Sequence, residues 1–442
     1  MLNKPTRLPN MHKYKKLLII PIIVAAILIL WFLIYQLVFN PYRGTTDKHV
    51  EPLPLDATLT EKQVLKDMDY TIKTIRSHHP AWLEKDNAKV QAVEEAYKNE
   101  RQKLQEDGTD SYTTLDEWYI LSGIINKLHD GHTGVLYKSD SNCYIDDVTQ
   151  VEKYGVPVEI NGNPSDQLLK DFMGLFSYEG DEYARGIFID IIQNEAYLKL
   201  LGVDTTDGVT FTFATEEGNK DYHYSMVPYE QVKGISQERD EQWVDYEIDK
   251  DNSLAIFTLK ECNYDDYYIS TVNQFFKEVK ENKIENIIVD LRNNGGGHSY
   301  VADEFLSHLD IDGYNTWACA IRYGIYLKKY DASYNPVDKR PDAFSGNLYV
   351  LTDVNTYSAA MDFAMYVADN DLGTIVGEAS GNMPDSYGDV LTFVTPNSSL
   401  NLRVSFKRWY RIDETKSGQP IEPDVPCDPR DALTVTKDMI CN

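Results

Sequence analysis

Ser358 stands in a setting that could turn a serine into a nucleophile. An apolar run of strand length, Leu348–Leu351, leads into turn-favouring residues at 352–355, and a helical pattern of apolar residues follows Ser358. Strand, sharp turn, serine and helix together lift the hydroxyl above a sheet and aim free helix N-terminal amides at its target. Ala359 is small enough for a substrate to approach closely. The alternative interpretation is that Ser358 only caps the helix.

A glycine run, Asn294–Gly297, could supply the second part of the same chemistry. Consecutive glycines cost backbone entropy, and they are reasonable where the backbone takes unusual angles or touches a ligand. The run has neither the Gly-Lys-Ser/Thr ending of a P-loop nor the G-x-G-x-x-G spacing of a dinucleotide site. The amides of Gly295 and Gly296 could instead face a developing oxyanion, with a purely structural turn as the alternative.

His132 is the candidate base. A serine is a weak nucleophile until a base takes its proton, and histidine is the commonest base near neutral pH. His129, Asp130 and His132 could also begin a metal site, but no third ligand with matching spacing is visible. We therefore predict that no metal or other cofactor is needed. A histidine that caps the preceding helix is the remaining alternative.

Five short motifs, in chain order, resemble those of the tail-specific (C-terminal-processing) serine peptidases, and the histidine points to the tricorn-core branch. The resemblance covers about residues 60–425. The motifs are Asp130-Gly131-His132-Thr133, Asp290-Leu291-Arg292-x-Asn294-x-Gly296-Gly297, Tyr357-Ser358-Ala359, Gly377-Glu378-x-Ser380-Gly381 and Pro423-Asp424-Val425.

The resemblance implies an α/β fold with a crotonase/ClpP-like core and a mostly parallel sheet. It makes Ser358 the nucleophile and His132 the general base. The oxyanion hole would be formed by the amide of Ala359 with that of Gly295 or Gly296. Reasoning from the residues alone leads to the same positions.

Two departures from the family pattern affect the base and its partner. No lysine lies between Gly381 and Lys407, where the Ser–Lys branch has its base, so His132 is the only credible one. Gly131 stands where the tricorn-type site has a serine. The distant glutamate of that site would be Glu414, or else Glu422, unless both are solvated loop charges.

Residues 57–139 are predicted to form a helical module that presents His132. Thr60 with Gln63 resembles a capping box, and the helix it opens must stop before Pro80. A charged helix over about residues 87–105 follows.

A second capping box, Thr114 with Glu117, opens the helix that leads to the histidine. Gly131 is predicted to be its left-handed C-terminal residue, which throws His132 into a turn.

The rest of the chain divides into two further regions. Residues 140–250 predict a small mixed module, faintly similar to a PDZ domain, with no catalytic cluster and a role in packing or substrate docking. Residues 251–442 alternate strands and helices, which predicts a largely parallel sheet covered by helices. Residues 390–394 and 400–405 are expected to form a late hairpin or edge.

The first 56 residues predict a membrane anchor: a basic tail (1–16), a transmembrane helix (17–39) and a proline-containing linker that extends as a stalk (40–56). The apolar run is too long for a signal-peptide core, and no small-x-small cleavage site follows it. Because the basic residues precede the run, the N-terminus is expected in the cytoplasm and the catalytic part outside.

The net charge limits the kinds of binding partner, and the cysteine content limits the kind of fold. The net charge of −27 opposes nucleic acid and anionic lipid as partners. Five cysteines in no zinc spacing exclude a disulfide scaffold, although Cys427 and Cys441 could pair.

These observations predict a single-pass, membrane-anchored, extracytoplasmic peptidase that cleaves a peptide or protein substrate through Ser358 and His132. An inactive ectodomain that binds peptides or cell-wall fragments, and an esterase with the same dyad, are the alternatives. The sequence leaves the substrate, the acid partner of His132 and the oligomeric state open.

Overall fold

A computed structural model describes residues 11–140, 142–234 and 243–441 of the 442-residue chain. Residues 1–10 of the predicted basic tail, positions 141 and 235–242 of the predicted mixed module, and the final residue lie outside the described part.

The N-terminal helix α1 (Met11–Ile34) continues into a short π-helical turn, Tyr35–Phe39. Within it, Pro21–Phe39 is long and apolar enough to cross a membrane, and none of this span is buried. The apolar run therefore forms the single continuous helix that its composition predicts.

The segment after this helix differs from the predicted stalk. The amide of Thr46 donates to the carbonyl of Thr392 at 2.9 Å, and the amide of Leu53 donates to the carbonyl of Ser398, also at 2.9 Å. Because backbone bonds tie it to the folded part of the chain, the segment lies on that part rather than extending freely.

Three helices form the front of the molecule: α2 (Glu61–His78), α3 (Ala88–Asp107) and α4 (Thr114–Ile125). The short strands β1 (Thr58–Thr60) and β2 (Ser111–Thr113) pair beside them. The capping box of Thr60 and Gln63 is confirmed.

Two details of the predicted front module are wrong. The second capping box joins Thr113 to Asp116, because Thr113 is the residue with the extended backbone that a cap needs. The left-handed residue after α4 is His129, with φ 46°, and not Gly131. The chain therefore turns two residues earlier than predicted.

The mixed region has a core of its own, formed by apolar residues between Ile145 and Val232. It contains a four-stranded sheet of order β6-β5-β7-β8 and a separate β4–β9 pair. Its elements are β4 (Cys143–Ile145), α5 (Thr149–Tyr154), β5 (Glu159–Ile160), β6 (Asn163–Pro164), α6 (Ser165–Leu175), α7 (Asp181–Ile191), α8 (Glu195–Leu200), β7 (Val209–Thr215), β8 (Gly218–Tyr224) and β9 (Met226–Pro228).

The central sheet has six strands in the order β10-β11-β12-β17-β18-β21, and every pairing in it is parallel except that of β10 with β11. Its strands are β10 (Val244–Asp249), β11 (Leu254–Leu259), β12 (Asn286–Asp290), β17 (Asn347–Thr352), β18 (Thr374–Gly377) and β21 (Val425–Pro426).

Helices cover both faces of this sheet. The large apolar core contains residues of α9 (Asp266–Glu281), α10 (Tyr300–Leu306) and α11 (Ala359–Asp369), and α12 (Ala432–Cys441) packs against the opposite face. Since β12 and β17 are neighbouring parallel strands, the loops that follow them emerge at the same sheet edge.

A second, antiparallel sheet has the order β15-β14-β20-β19, and β3 (Gly134–Leu136) pairs with β20. The other strands of this sheet are β14 (Ala318–Tyr323), β15 (Tyr326–Tyr330), β19 (Tyr387–Val394) and β20 (Asn401–Tyr410). Two further strands, β13 (Gly313–Asn315) and β16 (Tyr334–Pro336), form a separate antiparallel pair. The predicted late hairpin is confirmed as β19–β20. The front helices pack on its apolar residues, so helix and hairpin share one core.

All five cysteines carry free thiols, so the pair considered for Cys427 and Cys441 is not formed.

Candidate active site

Ser358 occupies the sharp turn between β17 and α11 and has a strained backbone, with φ 52° and ψ −124°. A non-glycine residue at such angles persists only where its surroundings hold it there. The Ser358 amide donates to Oδ1 of Asn382 at 3.0 Å, but the side chain makes no capping bond to α11. The helix-cap alternative is therefore wrong, and the Ser358 hydroxyl is not used to cap the helix.

The turn before Ser358 is joined to the glycine loop after β12. The Tyr357 amide donates to the carbonyl of Asn294 at 2.9 Å, and the Thr356 hydroxyl donates to the carbonyl of Leu291 at 3.0 Å. These bonds join the loops that follow two neighbouring parallel strands, and they hold the serine turn against the glycine loop.

The two candidate glycines of this loop have different environments. The Gly296 amide already donates to Oδ1 of Asn294 at 2.9 Å, and Gly296 has φ +96°. A Cβ at Gly296 would lie 2.6 Å from Cβ of Ser358, so only glycine fits there. Gly295 lines the cavity, and among the described residues its amide has no acceptor.

Ala359 supplies the other free amide. It is the first residue of α11, lines the same cavity, and its N–H has no acceptor in the part of the chain that the structure describes. First-turn amides of a helix are unpaired within the helix and point toward its N-terminal end. The amides of Gly295 and Ala359 therefore remain as the candidate oxyanion donors.

A cavity of about 1070 Å³ is lined by both His132 and Ser358. The histidine comes from the front of the chain, and the strand that follows it, β3, is held in place by pairing Val135 with Leu402 of β20. The imidazole packs against the ring of Tyr357 with centroids 5.1 Å apart. The fold thus places two residues far apart in sequence on the wall of one cavity.

His132 and Ser358 share the cavity without a hydrogen bond between them in the described structure. Catalytic hydrogen bonds are often long in ligand-free sites and tighten when the substrate binds. Burial lowers the pKa of His132, an effect that the Asp130 charge opposes, and the imidazole is therefore suited to act as a neutral base.

Asp130 is fully buried and is one of two carboxylates close to this imidazole. It accepts hydrogen bonds from Nε2 of His79 at 3.0 Å, from Oγ of Ser405 at 2.8 Å and from the backbone amide of His132 at 3.0 Å. Although burial opposes ionisation, the bond and charge of His79 hold the pKa of Asp130 well below its usual range. Asp130 is therefore a fixed negative charge, and its Oδ1 lies 4.0 Å from Nδ1 of His132.

Glu179 is the second carboxylate, and sequence reasoning missed it. It accepts a bond from the Tyr357 hydroxyl at 2.8 Å and from the Gly131 amide at 3.2 Å, and its Oε1 lies 4.0 Å from Nδ1 of His132. Burial, and then the neighbouring Asp130 charge, raise the pKa of Glu179 to about 7. Glu179 belongs to the mixed region, and no motif around it marks the position.

Gly131 explains why the serine of the tricorn-type pattern is absent. A Cβ at this position would overlap the Tyr357 hydroxyl and approach Oε2 of Glu179 to 2.9 Å. The Tyr357–Glu179 pair thus occupies the space that a serine side chain would need.

Glu414 and Glu422, the acids proposed from the sequence, are exposed and do not line the cavity. Glu414 begins a short 3₁₀ turn, and the chain around it is organised by Arg411, which donates to both carboxylate oxygens of Asp369. The structure therefore leaves these glutamates in solvent and puts Asp130 and Glu179 near His132 instead.

Asp130, His132 and Glu179 have ligand atoms within 4.8 Å of one another and could in principle hold a cation, as could the exposed group His49, Glu51 and Asp140. In the buried group, however, the carboxylates already accept bonds from a histidine, a serine, a tyrosine and backbone amides. These bonds fix the positions of the two carboxylates beside the imidazole of His132.

A serine on a strained strand-to-helix turn, with a histidine and free amides in the same cavity, is the arrangement expected of a serine hydrolase. Residues 258–427, from β11 to the segment after β21, match peptidase family S41. This region of the chain therefore matches a family of serine-type peptidases.

Two solved structures of CPAF show the same fold. Mature CPAF complexed with lactacystin aligns with a TM-score of 0.64 at 14% identity, covering 86% of this chain and 98% of that chain. Mature CPAF alone gives 0.61 at 13% identity, with coverages of 86% and 97%. The photosystem II D1 C-terminal processing protease gives 0.49 at 14% identity, with coverages of 87% and 98%. A comparison with curated protein sequences finds no match.

Proposed function

We propose that the chain is a membrane-anchored, extracytoplasmic serine peptidase in which Ser358 is the nucleophile and His132 the general base. The observation that carries this proposal is one cavity that contains a strained, uncapped serine, a largely buried histidine with a lowered pKa and two unpaired amides. The core that supports them is proposed to be crotonase-like, with the helical front module, residues 57–139, contributing the base.

The reaction follows from the positions of these groups. His132 takes the hydroxyl proton as Oγ of Ser358 bonds to the peptide carbonyl carbon, and the amides of Gly295 and Ala359 bind the resulting oxyanion. His132 then gives the proton to the leaving amine as the C–N bond breaks. Water, deprotonated by His132, attacks the acyl-enzyme and releases the acid and Ser358. No cofactor is needed in these steps.

Asp130 is proposed as the acid partner of His132, in place of Glu414 or Glu422. Its charge stabilises the imidazolium that forms when Ser358 is deprotonated. The hydrogen bonds from His79 and Ser405 keep the carboxylate in position beside the imidazole.

The anchor is proposed to be the span Pro21–Phe39, with the N-terminus in the cytoplasm because the basic residues precede the span. The folded region then lies outside the cytoplasm, where its substrates are peptides or proteins.

A fluorophosphonate probe on the full-length chain tests the nucleophile. We expect covalent labelling of the wild type, none in Ser358→Ala, and strongly reduced labelling in His132→Gln. Ser299→Ala is the matched control, because Ser299 lines the same cavity but does not lie on the strained turn. Labelling that persists in Ser358→Ala would exclude this nucleophile. A wild type that is never labelled would favour a peptide-binding ectodomain.

A further inference from the structure

The hairpin of β14 and β15 touches the outer end of the membrane-spanning helix. Its turn residue Gly324 has φ +58°, and a Cβ at this position would overlap the carbonyl oxygen of Val38 and lie 3.3 Å from Cα of Phe39. Phe39 is the last residue of the span that can cross a membrane. Since a helix rises about 1.5 Å per residue, the turn lies at the depth at which the span leaves the hydrocarbon.

The tip of this hairpin is apolar and exposed. Ile325 is 71% exposed and Tyr326 is 55% exposed, although turns in water usually carry small polar residues. Beside the helix end, Tyr42 is also exposed, and it packs edge-on against Phe406 at 5.7 Å. Isoleucine and tyrosine side chains at this depth match the composition of a membrane interface.

The charged residues next to the turn also suit a membrane interface. The chain as a whole is strongly acidic, with a net charge of −27, yet the strand after the turn carries Lys328 and Lys329. Lysine side chains at an interface bury their stems and keep the ammonium group among the lipid headgroups. The hairpin thus has an apolar tip followed by two lysines, a pattern typical of segments that lie in a membrane interface.

The short segment between the membrane-spanning helix and the folded region is hydrogen-bonded at both ends. Nη1 of Arg43 donates to the carbonyl of Leu37 at 2.9 Å, and three residues later the Thr46 amide is bound to Thr392. These bonds hold the folded region against the end of the helix. The hairpin turn at Gly324 therefore stays beside the end of the span.

We propose that the turn Tyr323–Tyr326 is a second membrane contact, which enters the outer headgroup region beside the helix and holds the cavity at the bilayer surface. Other residues of the same hairpin, Ile321 and Tyr330, line the cavity of Ser358. The peptides that reach this cavity are then extended segments close to the membrane. The proposal rests on the membrane anchoring described above, but not on peptidase activity.

Spin labelling of the full-length chain in phosphatidylcholine vesicles tests the contact. A nitroxide is attached at Ile325→Cys in a background that carries Cys143→Ser, Cys427→Ser and Cys441→Ser, because these three native thiols are at least partly exposed. We expect oxygen, which concentrates in the bilayer, to relax this label more than a water-soluble nickel complex does. Val156→Cys is the matched control: Val156 is a 41% exposed aliphatic residue of the mixed region, and there the nickel complex should dominate.

The outcomes separate this proposal from the proposed function. Flotation of the chain with the vesicles reports the anchor alone, and a chain that does not float removes both the anchor and the second contact. A floating chain whose label at 325 behaves like that at 156 overturns the contact and leaves the anchor intact.

Activity gives an independent measurement. The double variant Ile325→Ser, Tyr326→Ser should cleave a peptide tethered to lipid several-fold more slowly than the wild type, while cleavage of the same peptide in solution is unchanged. Equal losses on both substrates would contradict a membrane role for the turn.

Discussion

At the scale of single residues, the two adjacent glycines of the proposed oxyanion loop, Gly295 and Gly296, have different roles. Gly296 holds a positive φ against Ser358 and uses its amide inside the loop, whereas Gly295 leaves its amide toward the cavity. The sequence alone could not choose between them, because both stand in the same glycine run.

Alanine at these two positions should therefore have unequal effects. Gly296→Ala forces a Cβ onto Ser358 and should lower kcat/KM by about 100-fold or more, since the nucleophile and the amide of Ala359 both shift. Gly295→Ala keeps its amide, has no atom within 4 Å of the new Cβ, and should lose far less. Peptide hydrolysis with thermal unfolding as the folding control measures both, and equal losses would contradict the assignment.

The pH dependence of kcat/KM tests the residues around His132. Only the neutral imidazole accepts a proton, so activity should rise with pH, with a midpoint below the ordinary histidine pKa of about 6.5, because burial lowers the pKa of His132. Asp130→Asn removes the charge that favours the imidazolium. The midpoint should then move further down in pH, and kcat should fall by about 1,000-fold or more.

Glu179→Gln is the matched control for this charge. Because its pKa is raised to about 7, Glu179 is partly protonated where the enzyme works, and its loss should cost less than that of Asp130. A larger effect of Glu179→Gln would reverse the two roles.

At the scale of elements, the strained backbone of the turn between β17 and α11 lowers the stability of the folded chain. The strain at Ser358 is supported by the Asn382 bond and by the bonds to the glycine loop. Backbone angles of this kind cost a non-glycine residue about 1–3 kcal/mol, whereas glycine adopts them freely.

Replacing the nucleophile should therefore separate strain from chemistry. Ser358→Ala and Ser358→Gly should both abolish turnover, but Ser358→Gly should be more stable than Ser358→Ala by about 1 kcal/mol, after the larger entropy of an unfolded glycine is subtracted. Denaturant unfolding of the two inactive variants measures the difference. A less stable glycine variant would show that the turn is not strained.

At the scale of the whole molecule, His132 lines the same cavity as Ser358 because the front helices pack against the β19–β20 hairpin. Part of this contact is polar: Asp67 of α2 accepts the backbone amides of Asn397 and Ser398, at 2.9 Å each, and Oε1 of Glu117 accepts the Ser398 hydroxyl at 2.6 Å. Burial, and then the charge of Asp67, raise the pKa of Glu117 to about 8.

This glutamic acid makes stability depend on pH. Since its pKa is higher in the folded than in the unfolded chain, its contribution is fully present below about pH 4.5 and is lost as the pH rises through about 8. Glu117→Gln keeps an acceptor for Ser398 and cannot ionise. It should therefore be more stable than the wild type at pH 9, with a flatter stability profile between pH 4.5 and 8.

Glu95→Gln is the control, because Glu95 is an exposed glutamate on α3. It should leave the profile unchanged. Denaturant unfolding at several pH values gives the comparison, and a Glu117→Gln profile parallel to that of the wild type would contradict the raised pKa.

Local signals in the sequence predicted the elements and named two candidate site residues, Ser358 and His132. Capping at Thr60, the strand and turn before Ser358, and the glycine run after Asp290 each depend on interactions within a few residues, which a sequence records directly. The motifs around His132 and Ser358 placed both residues in one family pattern. The elements predicted from periodicity therefore agree with the structure apart from their boundaries.

Tertiary structure alone decided which groups surround these two residues. The hydroxyl that bonds Asp130 lies 275 positions away, and Glu179 lies 178 positions from the tyrosine that it bonds. No local pattern records such pairs, so the sequence pointed to Glu414 and Glu422, which remain in solvent. The left-handed residue at His129, the docked segment after the membrane helix and the hairpin beside it were decided in the same way, because each depends on a surface that exists only once distant strands have paired.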